Sequence, residues 1–360
     1  MRFVSFSLLV YFYCACVYSE NEIDARFSVL ATSEPVSIED MATGWDGDYQ
    51  SGELAYANLT WDIGFAKSIE IGGDDFGKAR ISRGYRIYYY LKFDKETADY
   101  YRAQEQGLDL VGNKTLDLEV KHFEGPSISL SYTTPDFRIY SDKIKYTFQL
   151  TNHLYQPGHL QFGKVKGIAF SPTADDFSAT LEYHYDQFKL PWLEDEQSYE
   201  VDKGIGYSFD AALTAESESW FGAIEASDLY AHFSWRNAGV TVACLQTSAG
   251  TGAVCENSGG NGRSDQKEVV ESIPMSYSGL LRNKEFDISL HAYQHDRYNR
   301  LGIEKGQQTA LGRFALFLYH PRLVGASWQT DYVNFQFGAD TLEFSQARNI
   351  QFNMGVNWHW

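Results

Sequence analysis

The segment HFSWRNAG places His232 two residues before Ser234, with Asn237 close behind. On an extended chain that spacing puts imidazole and hydroxyl on one face, as activation of a serine by a neighbouring base requires. Glu225 and Asp228 lie upstream, but neither stands at a fixed place from which to orient the histidine. Asp46 and Asp48 in DGD and the neighbours His295 and Asp296 are weaker fragments of a carboxylate and His–Asp arrangement for peptide hydrolysis. A larger ionisable set alternates with apolar residues: Asp117, Glu119, Lys121, Lys143, Lys145, Glu182, His184, Asp210, Asp287 and His291. On one face of successive strands, such residues either line a pore and select ions by sign or pair across strands and brace a closed interior. There is no phosphate-cradling glycine loop and no metal-ligand spacing, and 30 scattered Lys and Arg are outnumbered by 48 Asp and Glu. No cofactor, no metal and no nucleic-acid partner is therefore expected.

The elements that would hold these residues are β-strands. Period-two alternation recurs in WDIGF (Trp61, Ile63, Phe65), YRIYYYLKF, TLDLEVKHF, SISLSY, KIKYTFQLT and EFDISLHAY, and helical periodicity is nowhere as strong. Taking Leu229, Ala231, Phe233 and Trp235 as the outward apolar phase puts His232 and Ser234 inside. Aromatics are 16% of residues, with 30 Gly against 8 Pro. Tyr183, Tyr185, Trp235, Trp328, Tyr332, Trp358 and Trp360 fall near strand ends, where a lipid-facing surface carries its aromatic girdles. Backbone polar groups in lipid must be paired internally, so strands of this kind must close into a barrel. The expected fold is all-β, a transmembrane antiparallel up-and-down barrel of about fourteen strands, in a range of twelve to sixteen. EGP after Phe123, Ser171–Asp176 and His320–Leu323 read as tight turns. Asp94–Asn113, Lys189–Lys203, Leu245–Gln266 and Gln294–Gln308 read as long loops.

The opening MRFVSFSLLVYFYCACVYSEN joins a basic Arg2 to an apolar run and short residues, the pattern of a secretory signal peptide cut near Ser19. The expected organisation is a leader over 1–19, an N-terminal segment over 20–52 that adds a strand or fills the lumen, and a barrel over 53–360. Cys244 and Cys255 then remain, and an exported compartment permits a disulfide between them.

The last residues, NMGVNWHW, alternate polar and aromatic positions up to Trp360. This ending resembles the C-terminal assembly signal of Gram-negative outer-membrane β-barrel proteins. Asn353 matches the polar position, Gly355 the glycine, and Trp358 and Trp360 the aromatics, with Trp where Phe is commoner at the end. The resemblance implies insertion into the outer membrane by the barrel assembly machinery, with outer-membrane lipid as surroundings, and it names an architectural class rather than one family. HFSWRNAG resembles the His-x-Ser element of outer-membrane phospholipases and lipid A deacylases, although in those enzymes the pair faces lipid. Architecture does not fix function. The leading expectation is a porin-like channel for small hydrophilic solutes or ions, with weak cation preference from the net charge of -18. The alternatives are a non-transport barrel, structural, adhesin-like or exporting a polymer, and, behind these, a lipid hydrolase.

Overall fold

The computed structural model describes residues 21–139, 143–186, 202–247, 255 and 261–360. In chain order its strand segments are β1 (Asn21–Ser33), β2 (Leu54–Ile71), β3 (Asp74–Phe93), β4 (Lys114–Thr133), β5 (Lys145–Tyr155), β6 (His159–Ala169), β7 (Phe177–Tyr185), β8 (Ile205–Glu216) and β9 (Trp220–Ser227). They continue as β10 (His232–Gln246), β11 (Asn261–Glu271), β12 (Ser276–Asn283), β13 (Ile288–His295), β14 (Tyr298–Thr309), β15 (Gly312–His320), β16 (Leu323–Gln329), β17 (Val333–Ala339) and β18 (Asn349–His359). All eighteen belong to one antiparallel sheet.

The sheet closes. An unbroken circuit of pairings runs β1-β2-β3-β4-β5-β8-β9-β12-β13-β14-β15-β16-β17-β18 and back to β1, fourteen staves in all and inside the expected range. The other four segments lengthen staves. β6 continues β5 along β4, β7 leads into β8, β10 continues β9, and β11 leads into β12. One wall therefore stands taller than the rest; the fourteen-stave circuit itself has no free edge to be satisfied by lipid, while on the taller wall β11 pairs on one side, with β10.

Alternation fixes what faces where. Ile63, Phe65, Ile81, Ile128, Leu130, Leu150, Leu154, Leu290, Leu301, Leu316 and Leu318 are exposed on the outside, a continuous apolar band that water would penalise and a bilayer accepts. Trp220, Tyr332, Trp358 and Trp360 are exposed at the rim that carries the chain termini, as an interfacial girdle requires. Arg83 shares the outward phase, where its long stem can carry the guanidinium to the headgroup level.

Beyond the band, helices cover the outer wall. α1 (Ile38–Thr43) and α2 (Lys95–Gln106) lie at the opposite rim. α2 is capped by Asp94, whose carboxylate accepts from Thr97 N at 2.7 Å, and ends at Gly107 with φ +61°, a left-handed C-cap that glycine adopts without strain. Its Ala103 packs with Leu110, Leu116, Ala169 and Ala179. Trp45 and Val36 pack with Phe93, Ala98, Leu91 and Leu118.

Of the two alternatives for 20–52, Asn21–Ser33 takes the first, a full barrel strand between β18 and β2, so the barrel begins before residue 53, while Val36 and Trp45 in the remainder pack against outward-phase Leu91, Phe93 and Leu118. Other local readings differ from expectation. EGP runs through the middle of β4, opposite Gln156–Gly158. There β5 and β6 place four residue steps (Tyr155 to His159) against three on β4 (Ser127 to Glu124), a bulge that reverses the inward phase. Gln294–Gln308 is largely the tight hairpin β13–β14. Residues 1–20 and most of Lys189–Lys203 and of the loop after Leu245 fall outside the described residues. Cys244 and Cys255 form the expected disulfide.

Candidate functional site

The lumen is partitioned. Its terminus-side half holds a polar chamber of about 510 Å³. The walls are inward positions of β1, β2, β4 and β5: Ser28, Asn58, Thr60, Ser127, Ser129, Ser131, Gln149 and Thr151. Neighbouring hydroxyls are tied together, with Thr151 donating to Ser131 at 2.9 Å and Ser129 2.7 Å from His153 Nδ1. The charged groups are tied as well. Arg80 bridges Asp24 and Asp62, Arg26 meets Asp24 at 3.0 Å, and His153 Nε2 lies 2.8 Å from Asp210.

The chamber's ceiling is built on one bidentate pair. Arg86 of β3 donates through both terminal nitrogens to the Asp228 carboxylate, each at 2.8 Å, and both side chains are buried. Asp228 breaks the stave between β9 and β10 at φ +57°, and its own N–H donates to Asp210 at 2.9 Å. Left-handed backbone is tolerated by Asp better than by most residues, and here it turns the carboxylate inward. Arg86 also lies over the Tyr88 and Phe123 rings.

Above this pair an aromatic septum fills the barrel. Tyr56, Tyr88, Tyr90, Phe123, Tyr155, Phe162, Phe233, Trp235 and Tyr298 form one buried cluster. Gly206 makes room for it, because a Cβ there would sit 2.3 Å from the Phe233 ring. The tip of the β13–β14 hairpin reaches into the layer. His295 stacks on Tyr56 with centroids 4.4 Å apart and hydrogen-bonds Tyr88 at 2.9 Å. Asp296, at φ +46°, accepts from Tyr90 and lies 3.4 Å from Lys92. A hairpin from one wall is thus fastened to β3 on the facing wall.

On the far side of the septum lies a smaller chamber of about 260 Å³, lined by Glu119, Lys121, Lys164, Glu182, His184 and Glu271. Here sequence-derived pore residues do meet. Glu119 pairs with Lys121 at 3.5 Å and with Lys164 at 3.8 Å, and His184 contacts Glu182 at 3.6 Å and Glu271. Asp117 is on the same face, 3.8 Å from Lys166. The others are dispersed. Asp210 belongs to the first chamber. Asp287 and His291 join Arg313 and Glu304 on the β13–β15 wall. Lys143 lies in an exposed turn and Lys145 pairs with Asp136 at the rim, so neither lines the lumen. Their alternation was read correctly, but the strand ends where they stand.

His232 and Ser234 are turned the other way from expectation. Phe233 and Trp235 are the inward residues, buried to 0% and 1% exposure, and His232 stacks on Tyr207 on the outward face at 5.2 Å. Among the described residues no hydrogen bond joins His232 to Ser234. The apolar phase was assigned outward because lipid-facing and septum-facing aromatics look alike in sequence. Asp228 and His295 were singled out there for other roles, but Arg86 and the Arg86–Asp228 and Tyr88–His295 contacts went unnoticed, since the partners come from distant strands.

The terminal motif lies on β18 as its alternation requires. Asn353 and Gly355 face inward, Asn353 accepting from Ser28 at 2.6 Å and donating to Gln336 at 2.8 Å. Trp358 and Trp360 face outward and are exposed.

No family model and no curated protein matches the chain. Among solved structures it aligns with a TodX deltaS2S3 mutant monoaromatic hydrocarbon channel over 94% of this chain and 90% of that one, at 10% identity and TM-score 0.39. It aligns with the siderophore receptor PirA from Pseudomonas aeruginosa over 94% and 80%, at 10% identity and TM-score 0.21. With Salmonella typhi OmpF in complex with daunomycin the coverage is 95% and 97%, the identity 11% and the TM-score 0.19.

Proposed function

We propose that this protein is an outer-membrane channel for small hydrophilic solutes, closed in the state described here. The observation that carries this reading is the septum. Two polar chambers lie in line inside one barrel, separated by a layer of side chains that includes a hairpin tip fastened by only a few hydrogen bonds. A barrel serving only as a wall could fill its lumen with apolar side chains throughout. A layer clamped by Asp296 to Tyr90 and by Arg86 to Asp228 is a closure that can be released. Weak cation preference follows from the larger chamber, where Asp62, Asp210, Glu225 and Asp228 stand against Arg26, Arg80 and Arg86, since a low-dielectric wall screens such an excess poorly.

The test is single-channel recording on protein refolded into planar bilayers, for the wild type and for a Tyr90→Phe, Asp296→Ala variant that frees the hairpin tip. Rare openings in the wild type and frequent ones in the variant are expected. If both stay silent while folded, the channel reading is wrong and the barrel is a structural one.

A further inference from the structure

We propose that the larger chamber is a binding site for an uncharged polyhydroxylated solute, a mono- or disaccharide; this names the solute class for the channel proposed above and rests on that reading. Its volume of about 510 Å³ falls in the range of about 300–1,000 Å³ typical of small-molecule sites. What the chamber offers a ligand is decided by which of its groups are already committed. Arg86 and Asp228 hold each other in a bidentate pair, Arg80 is taken by Asp24 and Asp62, and Asp210 is taken by His153. An ionic solute would have to displace one of these pairs. Apart from Arg26, which meets Asp24, and Glu225, the remaining wall is neutral.

That neutral wall is regular. Ser127, Ser129 and Ser131 occupy successive inward positions of β4, and Gln149 and Thr151 continue the surface on β5. Hydroxyl and amide groups both donate and accept, which is the property a sugar ring, with donor and acceptor on every hydroxyl, can satisfy at several points at once. Glu225 adds a carboxylate that already accepts from the Ser227 hydroxyl at 3.1 Å, and a carboxylate can take two adjacent hydroxyls of a diol. The Tyr155 and Tyr293 rings bound the chamber on the septum side, an apolar surface for the C–H face of a sugar. Polar walls with an aromatic ceiling would bind a sugar directly beneath the closure that must open to pass it.

The experiment is isothermal titration of the full refolded chain in detergent with glucose and maltose, and with putrescine and acetate as charged probes. Saturable binding of a sugar is expected, weakened at least tenfold in Ser129→Ala, Thr151→Val and separately in Glu225→Gln, with the variants' thermal unfolding unchanged. Having two independent variants keeps the test decisive if one fails to fold. Absence of saturable sugar binding, binding of putrescine or acetate in place of the sugars, or sugar binding untouched by the folded variants would each overturn the assignment. Equilibrium binding requires no current, so a barrel that conducts without binding sugar refutes this inference alone. One that binds sugar and never conducts refutes the channel reading and leaves the site.

Discussion

Arg86 and Asp228 show how much one pair can ask of a barrel. Both are buried, and their mutual hydrogen bonds replace the water that each would otherwise hold. Removing one partner leaves an uncompensated charge, which typically costs about 3–5 kcal/mol, whereas replacing both by apolar groups of similar size is often close to neutral. Asp228→Asn, which keeps the left-handed turn, is therefore expected to lose stability on that scale in urea titration of the barrel in detergent, and the Arg86→Met, Asp228→Asn double variant to lose far less. Similar losses in the two would mean that the ion pair is not what the ceiling depends on. The same residue-scale logic fixes the side on which His232 and Ser234 stand, which is the side the pair takes in the lipid hydrolases they resemble. With Phe233 and Trp235 locked in the septum, the two polar residues are fixed on the outward side.

At the scale of elements, alternation is the strongest determinant. On β4, Leu130 is outward and exposed while its neighbour Ser129 is inward. Leu130→Arg should destabilise by about 2–4 kcal/mol if it sits at the bilayer midplane; Ser129→Ala should be tolerated. Folding into liposomes measures both, and equal penalties would mean that the two positions are not divided between lipid and lumen. α2 makes a different prediction. Glu96 accepts from Thr115 N and Oγ1, both at 2.6 Å, and these bonds hold its carboxyl below the ordinary glutamate range. A lowered value stabilises docking above the unfolded-state range and is lost as the pH falls through the folded value. Amide exchange in α2 should accelerate on acidification, and Glu96→Gln should remove the pH dependence. The barrel itself and its terminal strand were legible because period two survives in nearly every strand. The helix over Lys95–Gln106 was not, because its pattern is short and polar and its stability comes from docking on Leu116 and Ala169. The bulge opposite EGP was not either, since a phase reversal in one strand is visible only beside its neighbour.

For the whole molecule, closure and selectivity are linked. β1 completes the cylinder by pairing Glu22–Thr32 with His359–Asn349 on one side and Asn21–Ser33 with Lys67–Ala55 on the other, so the same strand that seals the barrel also brings Asp24 to Arg80 at the chamber floor. The acids left facing the solute path in the larger chamber are then few, and Asp210 and Glu225 lie on adjacent staves where their fields add. Low-dielectric walls focus that field along the lumen. In the barrel freed at its hairpin tip, Asp210→Asn with Glu225→Gln should move the reversal potential in a salt gradient toward anions while leaving the open-channel conductance of the same order. His153 would lose its acidic partner but keep Ser129, so the wall geometry should hold. An unchanged reversal potential would place the selectivity step elsewhere, with Glu119 and Glu182 of the smaller chamber as the next pair to exchange.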